Sequence, residues 1–190
     1  MTLRPILEWF SLLLLMGLGF YTMWVIKNEK KSYLKNAREI HFHLFKFFIP
    51  SWWGEVATDS SNVLCFKRLD TRYEWVAHFH WITKTEDLEI IELFKKQIAD
   101  RQILFDEESS IIYNPTDFKE GALIKSGRFE IVRLEGTATA NREERLYYDA
   151  FLIRELSTGH YLYAESKSSV LNGLIEGPYF EEALLSLQLL

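Results

Sequence analysis

Two short histidine pairs, His41-Phe42-His43 and His78-Phe79-His80, are the residues of this chain whose types and spacing most suggest chemistry. Residues two apart in a strand point to the same side, so each pair offers two imidazoles to one metal ion. Two such strands lying side by side in register would offer four nitrogens. The competing reading is structural: His41 falls where a helix gives way to a strand, and His78 and His80 share a face with Glu74, as on a half-exposed strand. No Asp or Glu at matched spacing completes a ligand set. No metal and no cofactor is therefore expected, and His41, His43, His78 and His80 stand as candidates only.

A hydrolase needs a nucleophile, a base and oxyanion donors. The chain has no G-x-S-x-G elbow, no H-E-x-x-H, no phosphate-binding glycine loop and no C-x-x-C. Asp149, between Tyr148 and Ala150 in a strand-like run, reads as a solvent-facing residue rather than a base, and no catalytic residue is nominated. The aromatic residues are the remaining clue. Trp75, Phe79 and Trp81 fall on one strand face and read as core. Trp52 and Trp53 are adjacent, so in extended chain they point opposite ways; the outward ring of this pair is the candidate partner contact.

The elements that must hold these residues are mostly strands. HFHLFKFFIP (41–50) reads as a strand closed by Pro50, Asp59 to Asn62 as a turn, and VLCFKRL as the next strand. Tyr73 to Ile82 alternates cleanly. Thr85 then caps a helix with Leu88, Ile91, Phe94 and Ile98 at helical spacing. Short strands follow near 111–113, 122–125 and 128–136. RLYYDAFLIREL and HYLYAES, separated by Ser157-Thr158-Gly159, form a hairpin. Gly173, Gly177 and Pro178 punctuate the chain before a last helix, YFEEALLSLQLL. The order implies an α+β fold: a mostly antiparallel sheet packed against helices.

Ahead of this domain, Trp9 to Ile26 runs 18 residues without a charge. At about 1.5 Å per residue such a helix crosses most of a hydrocarbon core roughly 30 Å thick. Trp9, Phe10, Tyr21 and Trp24 sit near its ends, where amphipathic rings prefer the headgroups. The run is longer than a signal-peptide core, and its large residues Phe20, Tyr21, Met23 and Trp24 fit no small-x-small cleavage site. A retained single-pass anchor in the lipid bilayer is expected, with 1–26 as tail and span, 27–40 as a basic juxtamembrane helix and 41–190 as the domain. Lys27, Lys30, Lys31, Lys35 and Arg38 follow the span, against Arg4 before it, which argues for a cytoplasmic domain.

The formal charge of -5, without a basic stripe beyond that flank, excludes a nucleic-acid binder driven by phosphate neutralisation. Cys65 is the one cysteine, so no internal disulfide forms, and between Leu64 and Phe66 it reads as a small core residue.

FFIPSWW (47–53), the strand NVLCFKR, the hairpin LYYDAFLIRE with HYLYAES, and the closing GPYFEEALLSLQ resemble the PsbP-like and DcrB-like α/β sandwiches over residues 41–190. The resemblance implies an α/β/α sandwich without catalytic residues, serving as an accessory or binding protein of a membrane or envelope complex. It also implies the periplasmic or lumenal side, against the charge of the flank. The expectation is thus a single-pass, membrane-anchored accessory protein of a bacterial inner membrane, with the side of its domain open. The alternatives are a membrane-tethered metal-binding protein or enzyme using the paired histidines, and a structural subunit of a membrane assembly.

Overall fold

The computed structural model describes residues 3–68, 74–83, 88–106, 110–115, 118 and 126–190. The chain forms two compact units, Met1–Ala37 and Arg38–Leu190. The first is one long helix, α1 (Leu3–Asn36). Leu12, Leu13, Leu14 and Leu15 step about 100° apart round its axis, and each is at least half exposed. The helix is therefore apolar on every side rather than along one stripe. The Thr22 hydroxyl donates to the Gly19 carbonyl at 2.8 Å, which satisfies it within the helix itself. Inside the apolar run, side chains are described without a break from Leu12 to Val25, a rise of about 21 Å. Among the described residues, no helix is long and apolar enough to cross a membrane.

The second unit is built on an eight-stranded antiparallel sheet. Its path is β3 (Trp53–Val56), β4 (Val63–Arg68), β5 (Trp75–Ile82), β10 (Tyr161–Ser168), β9 (Glu144–Glu155), β8 (Phe129–Ala140) and β6 (Ile103–Phe105), with β7 (Ile112–Tyr113) also pairing β8. Alternation divides each strand between two cores. Ala77, Phe79, Phe151, Ile153, Leu162 and Ala164 face one layer, made of α3 (Val170–Leu185) and a small sheet of β1 (Arg38–Phe42), β2 (Phe45–Ile49) and β11 (Gln188–Leu189). Val132, Leu134, Tyr148, Leu152, Tyr161 and Tyr163 face the other, covered by α2 (Ile90–Asp100). The order helix, sheet, helix is the expected α+β sandwich.

Four local expectations are corrected. The stretch 41–50 is a hairpin: β1 and β2 reverse at His43-Leu44, with Phe42 opposite Phe45 and His43 at φ 51°. Phe42 and Phe45 are three residues apart, so a single strand would bury one and expose the other; the reversal buries both. The helix expected to follow a Thr85 cap and to include Leu88 starts at Ile90, and it buries Ile90, Leu93, Phe94 and Ile98, leaving Leu88 exposed. The last helix begins at Val170 and runs through Gly173, Gly177 and Pro178. Asn172, Glu176, Phe180, Ala183 and Leu184 lie at helical spacing on its inner face, and this packing outweighs the propensity of the breakers. Finally, β8 extends to Ala140, beyond the expected Gly136. Tyr73, Thr85 and the strand expected at 122–125 lie outside the described residues.

Candidate functional site

Antiparallel register assembles the most polar part of the interior on the α2 side of the large sheet. Across β4, β5, β10 and β9 one row reads Cys65, His78, Glu165, Ala150, and the next reads Lys67, Val76, Lys167, Tyr148. Residues 161, 163, 165 and 167 share one face, so Glu165 is carried in beside Tyr161 and Tyr163 and is 2% exposed.

A carboxylate so enclosed must be paired and hydrogen-bonded. The Arg101 Nε atom reaches its Oε2 at 3.0 Å, the Lys167 Nζ atom its Oε1 at 3.2 Å, and the Tyr148 hydroxyl donates to it. Tyr148 and Tyr163 share a hydrogen bond of 3.0 Å, and the Arg101 guanidinium lies 4.2 Å from the centre of the Tyr163 ring. Arg101 stands at the C-terminus of α2, where it also donates to the Gln97 carbonyl at 2.8 Å, a cation at the negative end of a helix. Burial pushes the Glu165 carboxyl up, but His80, Lys167, Tyr148 and Arg101 together overcome this and hold it at about 2. Burial likewise raises the phenols of Tyr148 and Tyr163 far above their ordinary range.

The histidine pairs separate. His78 and His80 face this cluster, with His78 Nδ1 3.5 Å and His80 Nε2 3.9 Å from Glu165 Oε1, and burial lowers the pKa of His78. His41 is exposed in β1, 2.6 Å from Glu39. His43, in the hairpin turn, stacks on Trp81 with centroids 4.7 Å apart and planes 12° from parallel. Trp81 and His80 are neighbours in β5, so the two pairs lie on opposite faces of the sheet, and β1 pairs with β2, not with β5. Four nitrogens do not converge. Glu165 is no third ligand beside His78 and His80, because Arg101 and Lys167 occupy its oxygens with positive charge. Among the described residues, no group of three or more His, Cys, Asp or Glu is placed to hold a metal ion.

Alongside the cluster lies a cleft of about 790 Å³ whose lining includes Lys67, Val76, Arg101, Lys167, Ser168 and Asn172.

The opposite face holds a second buried charge. Asp149, expected at the surface, is 0% exposed and takes two hydrogen bonds from Arg133, at 3.1 and 3.0 Å. Burial pushes its carboxyl up to about 7, with Arg133 pulling down and Glu135 and Glu181 pushing further up. The error was one of parity: Tyr147, Asp149 and Phe151 face α3, where a polar pocket receives the carboxylate. Trp52 and Trp53 do point apart. Trp53 is core, its ring centre 4.3 Å from that of Trp75 with the planes tilted by 33°, and its Nε1 atom donates to buried Glu176 at 2.9 Å. Trp52 is half-buried, edge-on to Tyr179 of α3.

Glu165, Arg101, Lys67, Lys167 and Asn172 were not singled out by sequence. One signal was present: Glu165 continues the inward parity of Tyr161 and Tyr163, where a charge demands partners.

No family model matches the sequence, and no curated protein matches it. Among solved structures, the Ran-binding protein Mog1p of Saccharomyces cerevisiae aligns over 80% of this chain and 95% of its own, at 6% identity and a TM-score of 0.51. The cyanobacterial PsbP protein CyanoP of Synechocystis sp. PCC 6803 aligns over 81% of this chain and 91% of its own, at 12% identity and a TM-score of 0.51. At such identities the likeness is one of fold. The chain has the mixed α+β sandwich, antiparallel sheet between helices, that PsbP and Mog1 share.

Proposed function

We propose that this protein is a non-catalytic binding protein, held in a bacterial inner membrane by α1, whose α+β domain serves as an accessory factor of a membrane or envelope complex. One observation carries the membrane reading: α1 is apolar all round its axis, with large side chains from Trp9 to Trp24 standing exposed. Water disfavours such a surface, whereas lipid accepts it. Read along the sequence, the uncharged run extends from Trp9 to Ile26, about 27 Å of helix.

The non-catalytic reading follows from the polar cluster. A carboxyl held at about 2 is a weak base at neutral pH, and phenols raised by burial are weak acids. Glu165 and the cations around it neutralise one another. The shared fold of a Ran-binding protein and a PsbP protein is compatible with a binding role.

The test is extraction and topology. The full chain should stay in the membrane pellet through an alkaline carbonate wash; release into the supernatant would overturn the anchor. The basic flank from Lys27 to Arg38 favours the cytoplasm for the domain, so alkaline phosphatase fused after Leu190 should be inactive. An active fusion would place the domain on the periplasmic side.

A further inference from the structure

We propose that the apolar cleft bounded by α2, β6 and β8 binds a small amphipathic carboxylate, its hydrocarbon body against Ile98, Ile103 and Leu134 and its head at Arg142. The inference rests on the binding role proposed above, and the site lies wholly within the second unit.

The walls come from one face of the large sheet. Ile103 and Phe105 alternate onto the side of β6 that faces α2, opposite Ala140 and Ala138 of β8, and Leu134 points the same way further along β8. Ile98, on the buried stripe of α2, closes on them through a tight turn in which the Gln102 N–H donates to the Ala99 carbonyl at 2.9 Å. Between these side chains and half-buried Ile111 a cleft of about 630 Å³ stays open, within the roughly 300–1,000 Å³ of small-molecule sites. Water gains little from such walls, and a hydrocarbon body suits them better.

The charge at this cleft is of one sign. Lys95 and Arg142 line it together with Gln102, and no Asp or Glu is among the described residues that do so. Lys95 meets Glu92 at 3.0 Å, but both side chains are more than half exposed, so that pair competes weakly with a ligand. Arg142 is exposed, and its side chain makes no hydrogen bond or salt bridge among the described residues. Its backbone is left-handed at φ 65°, as is that of Gln102 at φ 55°. The Asn141 N–H brings the two turns together by donating to the Gln102 carbonyl at 3.2 Å. Glycine suits such positions, so an arginine stands there against local preference. The last carbonyls of α2 are already engaged: Gln97 accepts from the Arg101 side chain, Ile98 and Ala99 from the N–H groups of Arg101 and Gln102. An unpaired guanidinium fork beside a carboxamide fits a carboxylate head.

The full chain, in nanodiscs of phosphatidylcholine, would be irradiated with decanoic acid carrying a diazirine near its methyl end, and the labelled residues mapped by mass spectrometry. Label around Ile98, Ile103 and Leu134 is expected, displaced by excess decanoate and by hexanoate only at concentrations at least tenfold higher, since each methylene removed forfeits apolar burial. Arg142→Gly separates a ligand contact from a structural role. Glycine accepts the left-handed turn, so the variant should melt no lower than wild type while its labelling falls about tenfold, the loss of one charge-assisted hydrogen bond. Label confined to α1, label undiminished in Arg142→Gly, or equal displacement by a decyltrimethylammonium cation would overturn the proposal and leave the carbonate result for the anchor untouched.

Discussion

Glu165 shows how much of a residue's chemistry belongs to its neighbours. In HYLYAES it is one acid in a hydrophobic strand; in the fold it is a buried anion shared by Arg101, Lys167 and Tyr148. Glu165→Gln would leave those cations facing a neutral amide, and a loss of about 3 kcal/mol is expected in urea denaturation at neutral pH. The pH dependence follows from the lowered carboxyl. With the folded value near 2 and the ordinary value at 4.5, the stabilisation is complete above about 4.5 and fades as pH falls towards 2. The wild-type and Glu165→Gln curves should therefore converge over that window; a constant gap would show that the charge is not what stabilises. Asp149 carries the opposite sign. Its raised carboxyl contributes most below pH 3.8, and that contribution is lost as pH rises through about 7. Neither residue was legible by type alone, because a strand's alternation states which residues share a face and not which face is buried.

At the scale of elements, the strands were more legible than the helices' ends. The β9–β10 hairpin and the alternating β5 follow from period-two patterns and a polar turn, and both stand where expected. The start of α3 was hidden because Gly173, Gly177 and Pro178 read as breakers. A Cβ at Gly173 would overlap the Tyr147 ring, whereas at Gly177 it would meet that ring at an ordinary 3.9 Å. The two glycines should accordingly separate. Gly173→Ala is expected to cost about 2 kcal/mol through the displaced helix, and Gly177→Ala to stay within about 1 kcal/mol of wild type because alanine favours the helix. Equal effects in thermal melts would mean that propensity, not the close approach to Tyr147, decides how α3 packs. The β1–β2 reversal was missed for a related reason: His43 is not a turn signal, yet burying both Phe42 and Phe45 demands one.

For the whole molecule, the division into Met1–Ala37 and Arg38–Leu190 makes a direct prediction. A chain starting at Arg38 keeps both cores, one under α2 and one under α3, so it should fold and melt in a single cooperative transition. Aggregation, or a melt without a cooperative step, would show that the second unit needs α1. The α+β class was legible at this scale because element order and hydrophobic period constrain how layers can be stacked. The site was not, since His78 meets Glu165, and Lys67 aligns with Lys167, only through pairings across about 90 residues of sequence.

By itself the sequence determined the local patterns: an uncharged helical run, strands of period two, an amphipathic helix, and hence an antiparallel sandwich behind a long apolar helix. Those patterns depend on residues a few positions apart, which a linear reading can see. Only the tertiary structure decided which faces became interior, that the two histidine pairs lie on opposite sides of the sheet, and that Asp149 and Glu165 are buried with their cations. Register and sheet order set those outcomes, and both depend on which distant strands bury the most apolar surface together.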